Sequence, residues 1–260
     1  MEVVKHVSFE LNEGEVLAVV GESGSGKSVT ALSLTKLLPI APQCTLSGEI
    51  QFDGKGNLLN LPERLLQKVR GGDIAYIFQN ASTALNPALT IGFQIAEAIR
   101  LHTSTDNVKA KVSEWLQKVG LDPQRHYDDY PFQLSGGMQQ RAMIAMALAC
   151  NPKILVADEP TTALDVTLQN QIIDLLKSLR ASEHIAIIFI THNLSLIKNF
   201  ADRAVVMYNG EVVEQGSVQQ ILKSPQHPYT QALIQCIPSL NHAERQLKTI
   251  DDYQRKRTEI

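Results

Sequence analysis

The segment Gly21-Glu22-Ser23-Gly24-Ser25-Gly26-Lys27-Ser28 constrains this chain more than any other stretch. Its spacing, G-x-x-x-x-G-K-[ST], is that of a loop that wraps a chain of phosphates, and such a loop needs a strand before it and a helix after it. Both flanks are present. Val16–Val20 is an unbroken apolar run, and Val29–Leu38 follows with helical spacing. The glycines let the backbone turn tightly and aim successive N–H groups at one anion. The following helix adds the positive end of its dipole. Lys27 supplies a point charge for the β- and γ-phosphates, and the Ser28 hydroxyl can ligate Mg2+.

A second group of residues narrows the chemistry. Leu134-Ser135-Gly136-Gly137-Met138-Gln139-Gln140-Arg141 leads into an apolar-rich helix, Ala142–Cys150. Ile154-Leu155-Val156-Ala157 then ends in Asp158-Glu159-Pro160. An apolar run ending in a carboxylate reads as a buried strand of a parallel sheet that delivers an acid at its C-terminal end. Asp158 would hold Mg2+ through water. Glu159 would polarise the attacking water, and strand alternation would send the two carboxylates in different directions.

In this order, these motifs resemble those of the ATP-binding cassette (ABC) ATPases, and the resemblance runs from about Val4 to Leu240. Gln79, after the strand-like Ile74–Phe78, resembles the Q-loop glutamine. Thr162-Ala163-Leu164-Asp165 resembles the D-loop, and His192, after Ile185–Ile190 and Thr191, the switch histidine. The resemblance implies an α/β fold with a RecA-like parallel-sheet core, an antiparallel β subdomain and an inserted helical lobe at about 85–150. It implies one ABC domain over 1–240, with 241–260 a short charged tail. It also implies ATP and Mg2+ as cofactors. Ser28, Gln79 and Asp158 would form the metal shell. Glu159, Gln79 and His192 would serve hydrolysis. Ser135, Gly136 and Gly137 would bind the γ-phosphate held by a partner's loop, with Asp165 coupling the two sites. ATP would then bridge two subunits, and hydrolysis would open them.

Coarse patterning adds expectations. Val3–Leu11 and Gly48–Asp53 read as strands, the second ending at a turn around Gly54-Lys55-Gly56. Leu61–Val69 reads as a helix opened by Pro62. Ile91–Leu101, Asp106–Val119 and Gly136–Cys150 read as helices. Arg203–Tyr208 and Glu211–Gln215, joined by Asn209-Gly210, read as a hairpin. Ser217 should cap a helix through Leu222, and the residues from Arg245 should fray. Cys44, Cys150 and Cys236 form no C-x-x-C pair and read as reduced core residues.

The net charge of −3 gives no drive toward nucleic acid. No apolar run reaches the ~18 residues that span a bilayer, no signal peptide opens the chain, and no long heptads or second cassette appear. Those absences leave the separate ATPase subunit of an importer. Gln79-Asn80-Ala81-Ser82-Thr83-Ala84-Leu85-Asn86-Pro87, the Met138 variant of the Ser-Gly-Gly turn, and His227-Pro228-Tyr229-Thr230-Gln231-Ala232-Leu233 resemble the peptide/nickel importer branch. That branch implies a second, paired ATPase chain, two membrane permeases, an extracytoplasmic solute-binding protein, and a place on the cytoplasmic face of the cell membrane. Nickel uptake, or a non-transport ABC protein signalling by dimerisation, are the alternatives. The chain opens near Val7-Ser8-Phe9, where a second strand is expected. The adenine-stacking aromatic is therefore expected upstream of Met1, or adenine contacts are reduced. With Cys236 the sole cysteine near the end, no C-terminal metal cluster is expected.

Overall fold

The computed structural model describes residues 2–38, 44–162 and 164–236. The fraying expected from Arg245 and the tail at 241–260 lie outside the described residues. Among the described residues the strands are β1 (Val16–Val20), β2 (Gln51–Phe52), β3 (Gly56–Asn57), β4 (Ile74–Ile77), β5 (Ile154–Asp158), β6 (Ala186–Thr191), β7 (Arg203–Tyr208) and β8 (Glu211–Ser217). The helices are α1 (Lys27–Ser33), α2 (Glu63–Val69), α3 (Ala81–Ala84), α4 (Ile91–His102), α5 (Val108–Lys118), α6 (Pro123–His126), α7 (Gly136–Leu148), α8 (Val166–Glu183), α9 (Leu194–Ile197), α10 (Val218–Lys223) and α11 (Pro228–Gln235). The described residues divide into two compact units, one within 2–11, 15–30 and 189–236, the other within 12–14 and 31–188.

In the first unit β1 runs parallel to β7, with Leu17 opposite Arg203 and Val20 opposite Val206. β1 is apolar and fully buried, as a strand covered on both faces must be. Asp202 fastens its start: Oδ2 accepts from the Val16 N–H at 2.8 Å, and the Asp202 N–H donates to the Val16 carbonyl. β7 turns back into β8 through Asn209 (φ 49°) and Gly210 (φ 83°). Two positive φ values are what a type I′ hairpin needs. Ser217 caps α10 with Gln220 closing a capping box. Pro228 occupies the first turn of α11 behind the cap His227.

In the second unit β4 and β5 are parallel, Ile74 opposite Ile154. Helices α3 to α7 fill the connection between them and pack on one another. α4 buries Ile91, Ile95 and Ile99, a stripe at i, i+4 and i+8. α7 buries residues on several faces, among them Ala142, Met143, Ile144 and Ala145.

Several expectations change. Val7, Phe9 and Leu11 are half-buried and Ser8 and Glu10 exposed, so the alternation of 3–11 is real, yet the stretch is not a strand. Alternation records a two-sided environment, whereas a strand also needs a ladder. The antiparallel part at 48–57 reduces to the short β2–β3 hairpin. α2 starts at Glu63 with Pro62 as its cap rather than in its first turn. α1 stops short of Leu38, because Lys36 turns left-handed (φ 54°). The Leu37 N–H then donates to the Leu32 carbonyl and the Lys36 N–H to Ser33, a Schellman closure. Of the cysteines only Cys150 is buried, its thiol pushed up to about 11 by burial. Cys44 is exposed, not a core residue.

Candidate functional site

The phosphate loop is built on the first unit's sheet. A Cβ on Gly21 would stand 2.2 Å from the Met207 carbonyl oxygen, so only glycine lets the chain leave β1 beside β7. Gly24 (φ 83°) and Gly26 (φ 99°) supply the further left-handed steps. Lys27, 5% exposed, opens α1. Its Nζ donates to the Gly21 carbonyl (2.8 Å), the Glu22 carbonyl (2.7 Å) and the Ser25 hydroxyl (3.4 Å). A buried ammonium placed inside the loop is a charged donor, and a charged donor makes its strongest hydrogen bonds to an anion such as a phosphate. The loop therefore fits the anion its sequence implies. Ser23, Gly24 and Ser28 are exposed. The Glu22 N–H leaves the loop altogether and donates to the Tyr229 hydroxyl at 3.0 Å.

In the second unit β4 and β5 end side by side, and residues just past parallel strand ends share one rim. This brings Gln79 and Glu159 together: Gln79 Nε2 donates to Glu159 Oε2 at 3.1 Å. The Thr162 hydroxyl donates to the same oxygen at 2.8 Å. Glu159 has φ 46°, a left-handed conformation that costs a non-glycine residue about 1 kcal/mol. Such strain concentrates at functional residues. It also corrects the expectation from strand alternation, since Glu159 lies past β5 and the left-handed turn, not the pleat, aims its carboxylate at Gln79. Asp158 closes β5 half-buried. Among the described residues no three His, Cys, Asp or Glu side chains cluster as a metal cage. Mg2+ characteristically uses one or two carboxylates plus phosphate oxygens, and the hydroxyl, amide and carboxylate oxygens of Ser28, Gln79 and Asp158 suit that hard cation.

Ser135 caps α7, its Oγ accepting from the Met138 N–H at 3.4 Å. Gly136 and Gly137 form the first turn of α7. A Cβ on Gly137 would come within 3.2 Å of Leu168, so glycine lets α7 lie close against α8. Asp165 caps α8, accepting from the Leu168 N–H at 2.9 Å, and beside it Val166 is 72% exposed. His192 is exposed just past β6, in the same unit as the phosphate loop. The Ser-Gly-Gly turn and the Asp165 turn thus adjoin each other, as do Gln79 and Glu159. Thr162 and Tyr229 are functional candidates whose contacts the sequence does not display. Thr162 lies in the quoted D-loop and Tyr229 in the His-Pro-Tyr-Thr stretch.

The description "ABC transporter" matches residues 4–162, and "oligopeptide/dipeptide transporter, C-terminal region" matches 213–260. The chain is 52% identical over 238 residues to the peptidoglycan transport ATP-binding protein of Agrobacterium fabrum, covering 90% of this chain and 43% of that one. It is 47% identical over 254 residues to the oligopeptide transport ATP-binding protein of Bacillus subtilis, covering 96% of this chain and 71% of that protein. The dipeptide transport ATP-binding protein of Haemophilus influenzae is 46% identical over 250 residues, 95% and 75% of the two chains. Among solved structures, a dimeric post-hydrolysis state of an ATP-binding cassette with ADP and phosphate superimposes with a TM-score of 0.71 at 31% identity, over 83% of this chain and 90% of that one. The cbiO1 protein of Clostridium perfringens, part of an ABC transporter complex, gives 0.74 at 27%, over 85% and 84%.

Proposed function

This chain belongs to the ABC transporter family, and from that premise we propose that it binds and hydrolyses ATP to energise an oligopeptide or dipeptide importer. Glu159 carries the hydrolytic reading. A carboxylate set on a left-handed residue at a strand end, with one oxygen held by Gln79 and Thr162, is a base whose orientation is fixed, and a positioned carboxylate can take a proton from a water. The loop Gly21–Ser28 binds the phosphates, Lys27 exchanging its carbonyl partners for phosphate oxygens. Mg2+, where bound, neutralises phosphate charge; Ser28, Asp158 and Gln79 are the residues that would hold it. His192 contacts the γ-phosphate side. Ser135, Gly136 and Gly137 present a helix start to a nucleotide held by a second subunit, and Asp165 links the two sites.

The peptide assignment draws its support from the match of 213–260 and from the names of the relatives. No helix among the described residues is long and apolar enough to cross a membrane. In the proposed assembly two membrane permeases provide the path. A paired ATPase chain and an external solute-binding protein complete the assembly at the cytoplasmic face of the membrane. Nucleic acid has no role.

The test is purification of the native complex through a tag on this chain, followed by ATP hydrolysis measured with candidate solutes. Co-purifying permeases and hydrolysis stimulated by peptide-loaded binding protein are expected. Stimulation by nickel alone would replace the solute. Isolation of an ATP-bridged dimer without any membrane protein would replace transport.

A further inference from the structure

We propose that Tyr229 is a positioning residue of the phosphate loop, its hydroxyl fixing the Gly21–Glu22 peptide and through it the resting place of Lys27. The inference rests on the reading that this loop binds ATP. A trans peptide is planar and its N–H and C=O point opposite ways, so holding one end orients the other. The Gly21–Glu22 peptide is held at both ends. Its N–H donates to Tyr229 Oη at 3.0 Å, and its carbonyl accepts from Lys27 Nζ at 2.8 Å. Lys27 also takes the next carbonyl, Glu22, which accepts from the Ser25 N–H as well. One phenol therefore stands behind the stretch of backbone that offers Lys27 two carbonyls.

Tyr229 is equipped for this. It is 6% exposed. Burial pushes its phenol up to about 12, so it remains a neutral hydroxyl. Its ring lies on that of Tyr208, centroids 4.2 Å apart and planes at 32°. Tyr208 adjoins Met207, whose carbonyl makes glycine obligatory at position 21. Its backbone is fixed at the start of α11, where its N–H donates to His227 Nδ1. The approach to α11 is fastened by Glu214, which accepts from the N–H groups of Gln226 (2.8 Å) and His227 (2.9 Å).

The consequence is energetic. A peptide free to rotate could present its carbonyl where the loop needs room for phosphate oxygens, and ligand binding would have to reorder it. Tyr229 removes that freedom beforehand, and preordering a loop raises affinity. The residue lies within the stretch matching the oligopeptide/dipeptide transporter C-terminal region and reaches back 207 positions to the loop. That C-terminal region thus acts on nucleotide affinity as well as on the fold.

Tyr229→Phe keeps the ring and removes the hydroxyl, so the fold is retained. ATP is titrated into the full-length wild type, Tyr229→Phe and Lys27→Ala proteins, and exchange of the Glu22 amide is followed in each without nucleotide. The Phe variant is expected to bind ATP about 2- to 10-fold more weakly, the range of one lost hydrogen bond. Its Glu22 amide should exchange faster, while hydrolysis at saturating ATP in the assembled complex stays near wild type. A merely structural role would lower the melting temperature and leave folded-state affinity unchanged. Unchanged ATP affinity, or unchanged Glu22 exchange, overturns the proposal. Failure of the loop reading shows differently: wild type and Lys27→Ala would titrate alike, whatever the Phe variant does.

Discussion

Replacing Glu159 by Gln separates chemistry from structure at the site. The substitution keeps side-chain length and removes the negative charge and the basicity. Losing a general base costs about 10²–10⁴ in rate, or roughly 3–5 kcal/mol of barrier at about 1.4 kcal/mol per decade. The cost in stability is far smaller. Glu159 Oε2 accepts from Thr162 and Gln79. Both donors address one oxygen, so an amide oxygen in its place keeps both bonds, and the new NH2 group takes the position of the other oxygen. Each hydrogen bond lost would cost about 1 kcal/mol. The left-handed backbone, φ 46°, is equally strained with either side chain. Glu159→Gln should therefore melt near wild type, bind ATP normally, and release phosphate at least 100-fold more slowly. The assay pairs an ATP titration with phosphate release by the assembled complex and a melting curve. Phosphate release within about tenfold of wild type, with ATP bound, would refute the role of Glu159. Loss of ATP binding or of folding would instead give Glu159 a structural role beyond its bonds to Gln79 and Thr162.

Gly21→Ala would put a methyl 2.2 Å from the Met207 carbonyl and should cost about 1–3 kcal/mol; an unchanged melting temperature would reject the close approach of loop and β7. Ser135→Arg should lose about 1 kcal/mol with the α7 cap, keep ATP binding by the isolated chain and block ATP-driven pairing. Sizing with ATP and the true partner would reject the cross-subunit role if pairing matched wild type. Burial would raise the Glu214 carboxyl, but the Gln226 and His227 N–H donors outweigh it and hold it below its ordinary value. With a depressed folded value, its contribution is fully present above the usual carboxyl range near ~4.3 and fades as pH falls through the folded value. Glu214→Gln should flatten that acid limb of the stability profile; an unchanged limb would exclude Glu214 as its source.

What the sequence displayed and what it hid divide along a physical line. Local interactions were legible. Ser217 at a helix start, Asn209-Gly210 and the run Val16–Val20 each act within a few residues, and each took the expected form. Element ends were less so, since α1 ends where Lys36 adopts a left-handed turn that lysine does not advertise. The stretch 3–11 misled for a different reason. Its alternation arises from one-sided burial, and nothing in that pattern names a neighbouring strand.

Contacts made by topology were hidden almost entirely. Gln79 and Glu159 stand 80 positions apart, and each was identified from its own motif. Their hydrogen bond follows only once β4 and β5 are neighbours. The same holds more sharply for Tyr229. In the sequence, His-Pro-Tyr-Thr stands out only by its resemblance to the importer branch, and in the structure Pro228 opens α11. The tyrosine gains its second role from the ring of Tyr208, which sets the phenol toward the backbone of Glu22. A motif search weighs residues by the chemistry of their side chains, and here the bonded atom on the loop side is a main-chain N–H that any residue but proline would supply. A phosphate loop is built from main-chain groups, so the residues that tune it are those that touch its backbone, and these leave no spacing rule behind. Substituting Glu22 should consequently matter less than substituting Tyr229, although Glu22 lies inside the loop and Tyr229 far along the chain.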